Sequence, residues 1–209
     1  MIAEKVQSKA KIVRLLVLPL MLAFLFGCED ETLAPVEEPP PDVTTPEGTL
    51  NALAKYYIRR LDGDAEKALA LLGNSYTFVP ALPESIPFLG PGDTSWDRAK
   101  EEELLDVLLD PIRTSWIDQV LLEWHMQEKR EIGPGVYEID AVVELGYLVG
   151  LDTWIKARSN ITYQLAMATN GDYLLIRETE TVHTIDTGGE IVTELTVGQH
   201  KASVLTGGG

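Results

Sequence analysis

The chain has 209 residues, 45% hydrophobic and 24% charged, enough for one domain with a sizeable core and hardly for two. Its 33 acids against 17 bases give a formal charge of −16. That balance is a poor fit to nucleic acid or anionic lipid, which bind through Lys and Arg, and it suits solubility or a basic partner.

The first element is a leader. Lys5, Lys9, Lys11 and Arg14 give a basic start, and Leu15 to Phe26 then runs without a charge. An apolar run this short falls below the roughly 20 residues of a spanning helix, and Pro19 interrupts it, so the layout is that of an export signal. It ends in Leu25-Phe26-Gly27-Cys28, which resembles the lipobox of bacterial lipoproteins, although Phe26 is bulkier than usual. The resemblance implies cleavage before Cys28 and lipid on its sulfur, with palmitate-type acylation. It also implies a protein held on the cell membrane or outer membrane, facing the periplasm or the exterior. Cys28 is the sole cysteine, so no intramolecular disulfide is available. Residues 29–45 follow, with six acids and Pro39, Pro40 and Pro41 in a row. This acidic, proline-rich stretch has too little apolar surface to fold and reads as a spacer.

The domain is expected over residues 46–186. Thr45 is a natural N-cap, Pro46 suits the first helical position, and Leu50, Leu53, Tyr57 and Leu61 mark one apolar face. A second short helix carries Ala65, Ala68, Leu69 and Leu72 and stops at Gly73. Tyr76, Phe78 and Val79 suggest a strand, and the proline- and glycine-rich 80–94 a loop. A third helix is expected from a Ser95 cap, with Trp96, Ala99, Leu104, Leu105 and Leu108 as its buried stripe. Beyond Pro111 the period changes to two. Val120, Leu122, Trp124 and Met126 form one alternating run, and Tyr137, Ile139, Ala141, Val143 and Leu145 another, with Gly133-Pro134-Gly135 between them. Trp154 to Thr169 and Tyr173 to His183 flank Asn170-Gly171, a favoured hairpin turn. Helices first and strands afterwards point to α+β. Residues 187–209 read as an extra hairpin, from the alternation of Ile191, Thr193, Leu195 and Val197, or as a flexible glycine-rich tail.

This order of elements, from TPEGTLNALAKYYIRRLDGDAEKALALLGNSYTFVP through WDRAKEEELLDVLL to four long strands, resembles the NTF2-like (SnoaL-like, cystatin-cone) superfamily. The resemblance covers Thr45 to about His183 and is closest to the small exported lipoproteins of that superfamily. It implies three N-terminal helices packed on a curved antiparallel sheet, with a pocket inside the cone.

Chemistry-bearing residues are sparse. No phosphate loop, HExxH, CxxC or nucleophile elbow is present. His125, His183 and His200 do not converge with other ligands at zinc spacing, so no metal and no cofactor are expected. Enzymes of the superfamily move protons with inward carboxylates, and the resemblance makes Glu178 and Glu180 the candidates, with Tyr57 as hydrogen-bond donor. Glu178 alternates with Leu174 and Ile176, a register that points it into an apolar interior and raises its pKa. Tyr57, Trp124 and Glu178 are the candidate pocket residues. The expectation is a lipid-anchored, non-enzymatic domain that binds a small ligand or an envelope protein. The alternative is a ketosteroid-isomerase-like or dehydratase-like enzyme. Repeated acids at Glu123, Glu138, Asp140 and Glu144 on the open sheet face favour a monomer.

Overall fold

The computed structural model describes residues 39–186, 191–193 and 195–206. Cys28, the expected export signal and most of the expected acidic spacer lie outside them. The chain divides after Pro40, and the body begins at Pro41. No helix among the described residues is long and apolar enough to cross a membrane.

Helix α1 (Pro46–Arg59) starts as its sequence dictates, with the Thr45 hydroxyl accepting from Gly48 N at 3.0 Å and Pro46 in the first turn. It stops two residues short of Leu61, the last residue of the expected stripe. Arg60 takes a left-handed conformation (φ 49°), held by its guanidinium on the Ile117 carbonyl at 2.9 Å and on Thr114, and Leu61 is left exposed. Helix α2 (Asp64–Ala70) follows, and strand β1 (Leu72–Val79) begins where that helix was expected to continue. Gly73 is therefore not a helix end. A Cβ there would meet Ile176 Cγ2 at 2.9 Å, so glycine permits the close approach of β1 to the last long strand. The expected third-helix start is also displaced. Trp96 and Asp97 form a short strand, β2, paired with β1, and Asp97 caps helix α3 (Arg98–Leu108) by accepting from Lys100 N.

Four long strands come next: β3 (Gln119–Gly133), β4 (Val136–Val149), β5 (Thr153–Met167) and β6 (Tyr173–Val182). They form antiparallel neighbours, and the β5–β6 turn uses Gly171 at φ 91° beside Asn170, as the sequence predicts. The sheet order is β2-β1-β6-β5-β4-β3, with β1 parallel to β6. The sheet is thus mixed, where a wholly antiparallel one was expected. Strand β1 lies next to β6, from which it is far removed in sequence, and a non-sequential neighbour is free to run parallel.

The inner face carries Ile139, Ala141, Val143, Leu145 and Tyr147 of β4, with Ile161, Tyr163 and Leu165 of β5. Helix α1 crosses this face. Its Glu47 meets Lys129 of β3 at 2.7 Å, and its Thr49 hydroxyl donates to the Tyr173 carbonyl of β6 at 2.9 Å. Val120, Leu53, Leu104 and Leu108 share the core, and Leu122, Trp124 and Tyr137 pack half-buried at its margin. On the outer face, Glu138 and Asp140 pair with Arg130, and Glu144 pairs with Lys156 and Arg158. Three of the four acids on this face are thus paired with bases, while Glu123 has His125 at 3.9 Å.

The tail supplies a hairpin, one of the two forms expected of it, and a helix that was not expected. Strands β7 (Thr184–Asp186) and β8 (Ile191–Thr193) pair with each other in a separate small sheet. Helix α4 (Val197–Ser203) then opens on a capping box between Thr196 and Gln199. It packs against β4, β5 and α3, with Val197, His200, Lys201 and Ala202 buried.

Candidate functional site

The polar interior is assembled from both ends of the chain. Glu178 and Glu180 reach it through an irregularity in β6. The pairing shifts between Gln164 and Leu165, whose partners are Arg177 and Leu175, and this leaves Ile176 as the extra residue. Before the bulge Tyr173 and Leu175 face inward, and after it Glu178 and Glu180 do. Glu178 therefore shares its face with Tyr173 and Leu175, not with Leu174 and Ile176. Both acids are buried.

Glu180 is fully engaged. Its carboxylate accepts from Ser159 Oγ at 2.6 Å, Gly198 N at 2.9 Å and Ala81 N at 3.0 Å, and Ser159 Oγ accepts in turn from Val197 N at 3.0 Å. This is a latch that ties the start of α4 to β5 and β6. Each of these is a charge-assisted or buried bond, the stronger kind.

Glu178 has a different setting. It accepts one hydrogen bond from a side chain of β1, Tyr76 Oη at 2.7 Å, and Tyr163 lies directly across the β5–β6 ladder. Burial raises its pKa, the neighbouring acids Glu101 and Glu180 add to the rise, and the Lys201 ammonium and the Tyr76 hydroxyl oppose it. Burial and the nearby carboxylates push the phenols of Tyr57, Tyr76 and Tyr163 well above their ordinary range, so all three remain donors.

Tyr57 faces inward from α1 but does not bond to Glu178. Its hydroxyl donates to Glu101 Oε1 at 3.1 Å, while Trp96 Nε1 donates to the other oxygen at 2.7 Å. The third partner of Glu101 is Lys201 of α4, whose ammonium lies 2.5 Å from Oε1. That ammonium also sits over the Phe78 ring at 4.6 Å and the Trp96 ring at 5.7 Å, and these two rings stack 4.1 Å apart. Burial alone would lower the Lys201 pKa, and Glu101 and Glu178 outweigh it and hold the ammonium charged. Beside it His200 stacks on Tyr147 at 3.9 Å, with burial pushing its pKa down to about 4.

Trp124 stands apart from this cluster. It is half-buried on edge strand β3, three strands from β6, which is about 14 Å at ordinary strand spacing. Among the described residues no group of His, Cys, Asp or Glu is arranged to hold a metal. That includes the acids Asp62, Glu66, Asp106 and Asp110, which line an open cleft of about 460 Å³ beside the α1–α2 turn.

Glu101, Lys201 and Tyr76 were not singled out from the sequence. Glu101 carried a signal, since it falls three and four residues before Leu104 and Leu105 on the apolar stripe of α3. An acid on such a stripe is buried, and a buried acid needs donors. Lys201 carried a weaker one, four residues after Val197 and three before Val204, behind the Thr196-x-x-Gln199 capping box.

No protein-family model matches the chain, and no curated protein matches its sequence. Solved structures with a similar arrangement include a ketosteroid isomerase-like protein from Erwinia carotovora atroseptica. It is 10% identical, with a TM-score of 0.45 over 66% of this chain and 94% of that one. A second is ActVI-ORFA from Streptomyces coelicolor, at 13% identity and TM-score 0.46 over 65% and 95%. A third is a domain of unknown function with a cystatin-like fold from Nostoc punctiforme, at 13% and 0.44 over 64% and 72%.

Proposed function

We propose that this chain is a lipoprotein anchored through Cys28, whose NTF2-like domain binds a small ligand at the interior carboxylates without transforming it. The observation that carries this reading is the state of Glu101. Tyr57 and Trp96 aim two donors at a buried carboxylate, and the cation it faces is the chain's own Lys201. Both oxygens of Glu101 are thus already taken by donors of the chain itself, an arrangement that holds a partner in place rather than one poised over a reacting atom. The anchor keeps the domain in the cell envelope, beyond a spacer of acidic and proline residues. Full-length protein extracted in mild detergent is expected to carry a lipid mass on Cys28 that Cys28→Ser abolishes. In native mass spectra it is expected to retain a small molecule, with retention surviving Glu178→Gln. Unmodified Cys28 in the wild type would overturn the anchor, and an empty domain would overturn the ligand.

A second reading has its own observation. Glu178 is a buried acid of raised pKa beside the Tyr76 phenol, a pairing suited to general acid–base work. Isomerisation of a β,γ-unsaturated ketosteroid, abolished by Glu178→Gln, would replace binding with catalysis.

A further inference from the structure

The C-terminal helix enters the interior with an unusual cargo. A helix that merely completes a core brings apolar side chains, and Val197 and Ala202 do that here. Lys201 instead buries an ammonium at 4% exposure. Three features make its surroundings a receptor for that group. First, Glu101 is oriented by Tyr57 and Trp96, on α1 and β2, so its position does not depend on α4. Second, the ammonium lies against the side of the Phe78–Trp96 stack, 4.6 Å and 5.7 Å from the two ring centres, so aromatic rings rather than water surround it. Third, a second interior acid, Glu178 with its Tyr76 partner, is close enough to feel the same ammonium, which opposes the rise in its pKa.

The helix is also held at a cost. It has seven residues, too few to persist by its own propensity. His200 Nε2 is buried with no hydrogen-bond partner, which charges the docked helix with an uncompensated desolvation. The buried ion pair is itself expensive to desolvate. Against these stand the Glu180 latch on Gly198 and the apolar contacts of Val197 and Ala202. Docking of α4 thus carries desolvation costs that a wholly apolar helix would not.

We propose that the interior is an ammonium site in which Lys201 is the resident ligand, and that its external ligand is a small primary alkylamine that takes the same place when helix α4 withdraws. This deepens the small-ligand reading above and rests on it. A primary ammonium donates to Glu101 while presenting its charge to Phe78 and Trp96. A quaternary ammonium has no N–H for Glu101, and a neutral alcohol has no charge for the rings. An intramolecular competitor lowers the apparent affinity of any free amine in proportion to its occupancy.

The test uses full-length protein in detergent and n-butylammonium as the probe, with n-butanol and tetramethylammonium as controls. In the wild type, n-butylammonium is expected to speed amide hydrogen exchange across residues 197–204, with neither control doing so. Lys201→Ala removes the competitor and opens space for the probe, so it is expected to bind n-butylammonium at least about tenfold more tightly than the wild type does. Glu101→Gln in the Lys201→Ala background is expected to remove that gain. Unchanged exchange in the wild type overturns the proposal, and so does an equal response to n-butanol or to tetramethylammonium. Where Lys201→Ala does not fold, the wild-type exchange decides. A small molecule retained in native mass spectra that has no amino group would overturn the ammonium site while leaving the binding domain standing.

Discussion

On the outer face of the sheet, Glu144 lies between Lys156 and Arg158 at 2.6 Å from each, within reach of water. On the inner side, Glu101 lies 2.5 Å from Lys201 among aromatic rings, with Glu178 nearby and no second base described in the cluster. The distances are alike and the energetics are not. Outside, solvent screens the charges and replaces any partner that is removed. Inside, each ion has given up its hydration, so it depends on the few donors that protein provides. The number of ion pairs thus says little about this molecule, and the place of one pair says much.

Removing the inner cation has the largest expected effect. Lys201→Met keeps the volume but leaves Glu101 facing Phe78 and Trp96 without its counter-ion, and should lower stability by about 3–5 kcal/mol in urea unfolding. A loss below about 1 kcal/mol would make the inner pair equivalent to an outer one.

His200 gives the next effect, and it depends on pH. The buried ring has a folded pKa of about 4 against 6.5 unfolded. Its contribution is fully present above pH 6.5 and is lost as pH falls through 4, by about 3 kcal/mol in all. His200→Phe keeps a ring against Tyr147 and should flatten the stability profile between those values, measured as the wild-type minus variant difference. A difference independent of pH in that window would show that the ring titrates as it does in water.

Glu178 works with the opposite sign. Its folded pKa is raised above 4.5, so ionisation opposes folding. The penalty is absent below pH 4.5 and grows until pH exceeds the folded value. Glu178→Gln retains an oxygen for Tyr76 and should stabilise the domain at pH 7 by about 1 kcal/mol while changing little at pH 4. A destabilised variant at pH 7 would mean that the carboxylate is ionised and held by Lys201.

The smallest effect belongs to the outer face. Glu144→Gln should cost under about 1 kcal/mol, and 1 M salt should erase most of the difference. A larger, salt-resistant loss would put Glu144 in the same class as Glu101.

The comparison also explains what the sequence made legible. Outer acids such as Glu138 and Asp140 alternate with Ile139 and Ala141, and a period of two needs no tertiary knowledge. The start of α1 is equally local, since Thr45, Pro46 and Glu47 carry its cap and dipole chemistry. The inner site is not local. Alternation with Leu174 and Ile176 assigns Glu178 to the interior. It arrives there because a bulge at Ile176 puts it in phase with Leu175 instead. The destination matched through an error of register, and nothing in LLIRETET marks the bulge. Tyr57 was rightly placed on the inner stripe of α1. Its partner, Glu101, lies 44 residues away on another helix. The alternation of Ile191, Thr193, Leu195 and Val197 obscured the helical start that Thr196 and Gln199 encode. Lys201 was lost with it.

The most direct measurement is a pair of double-mutant cycles, one on Lys201→Met with Glu101→Gln and one on Arg158→Met with Glu144→Gln. The inner cycle is expected to return a coupling of about 2–3 kcal/mol, since removing both charges relieves the penalty that either single change incurs. The outer cycle should return under about 1 kcal/mol. Equal couplings would contradict the account, because Lys201 would then behave as a solvated surface base and the interior carboxylates would have no resident cation.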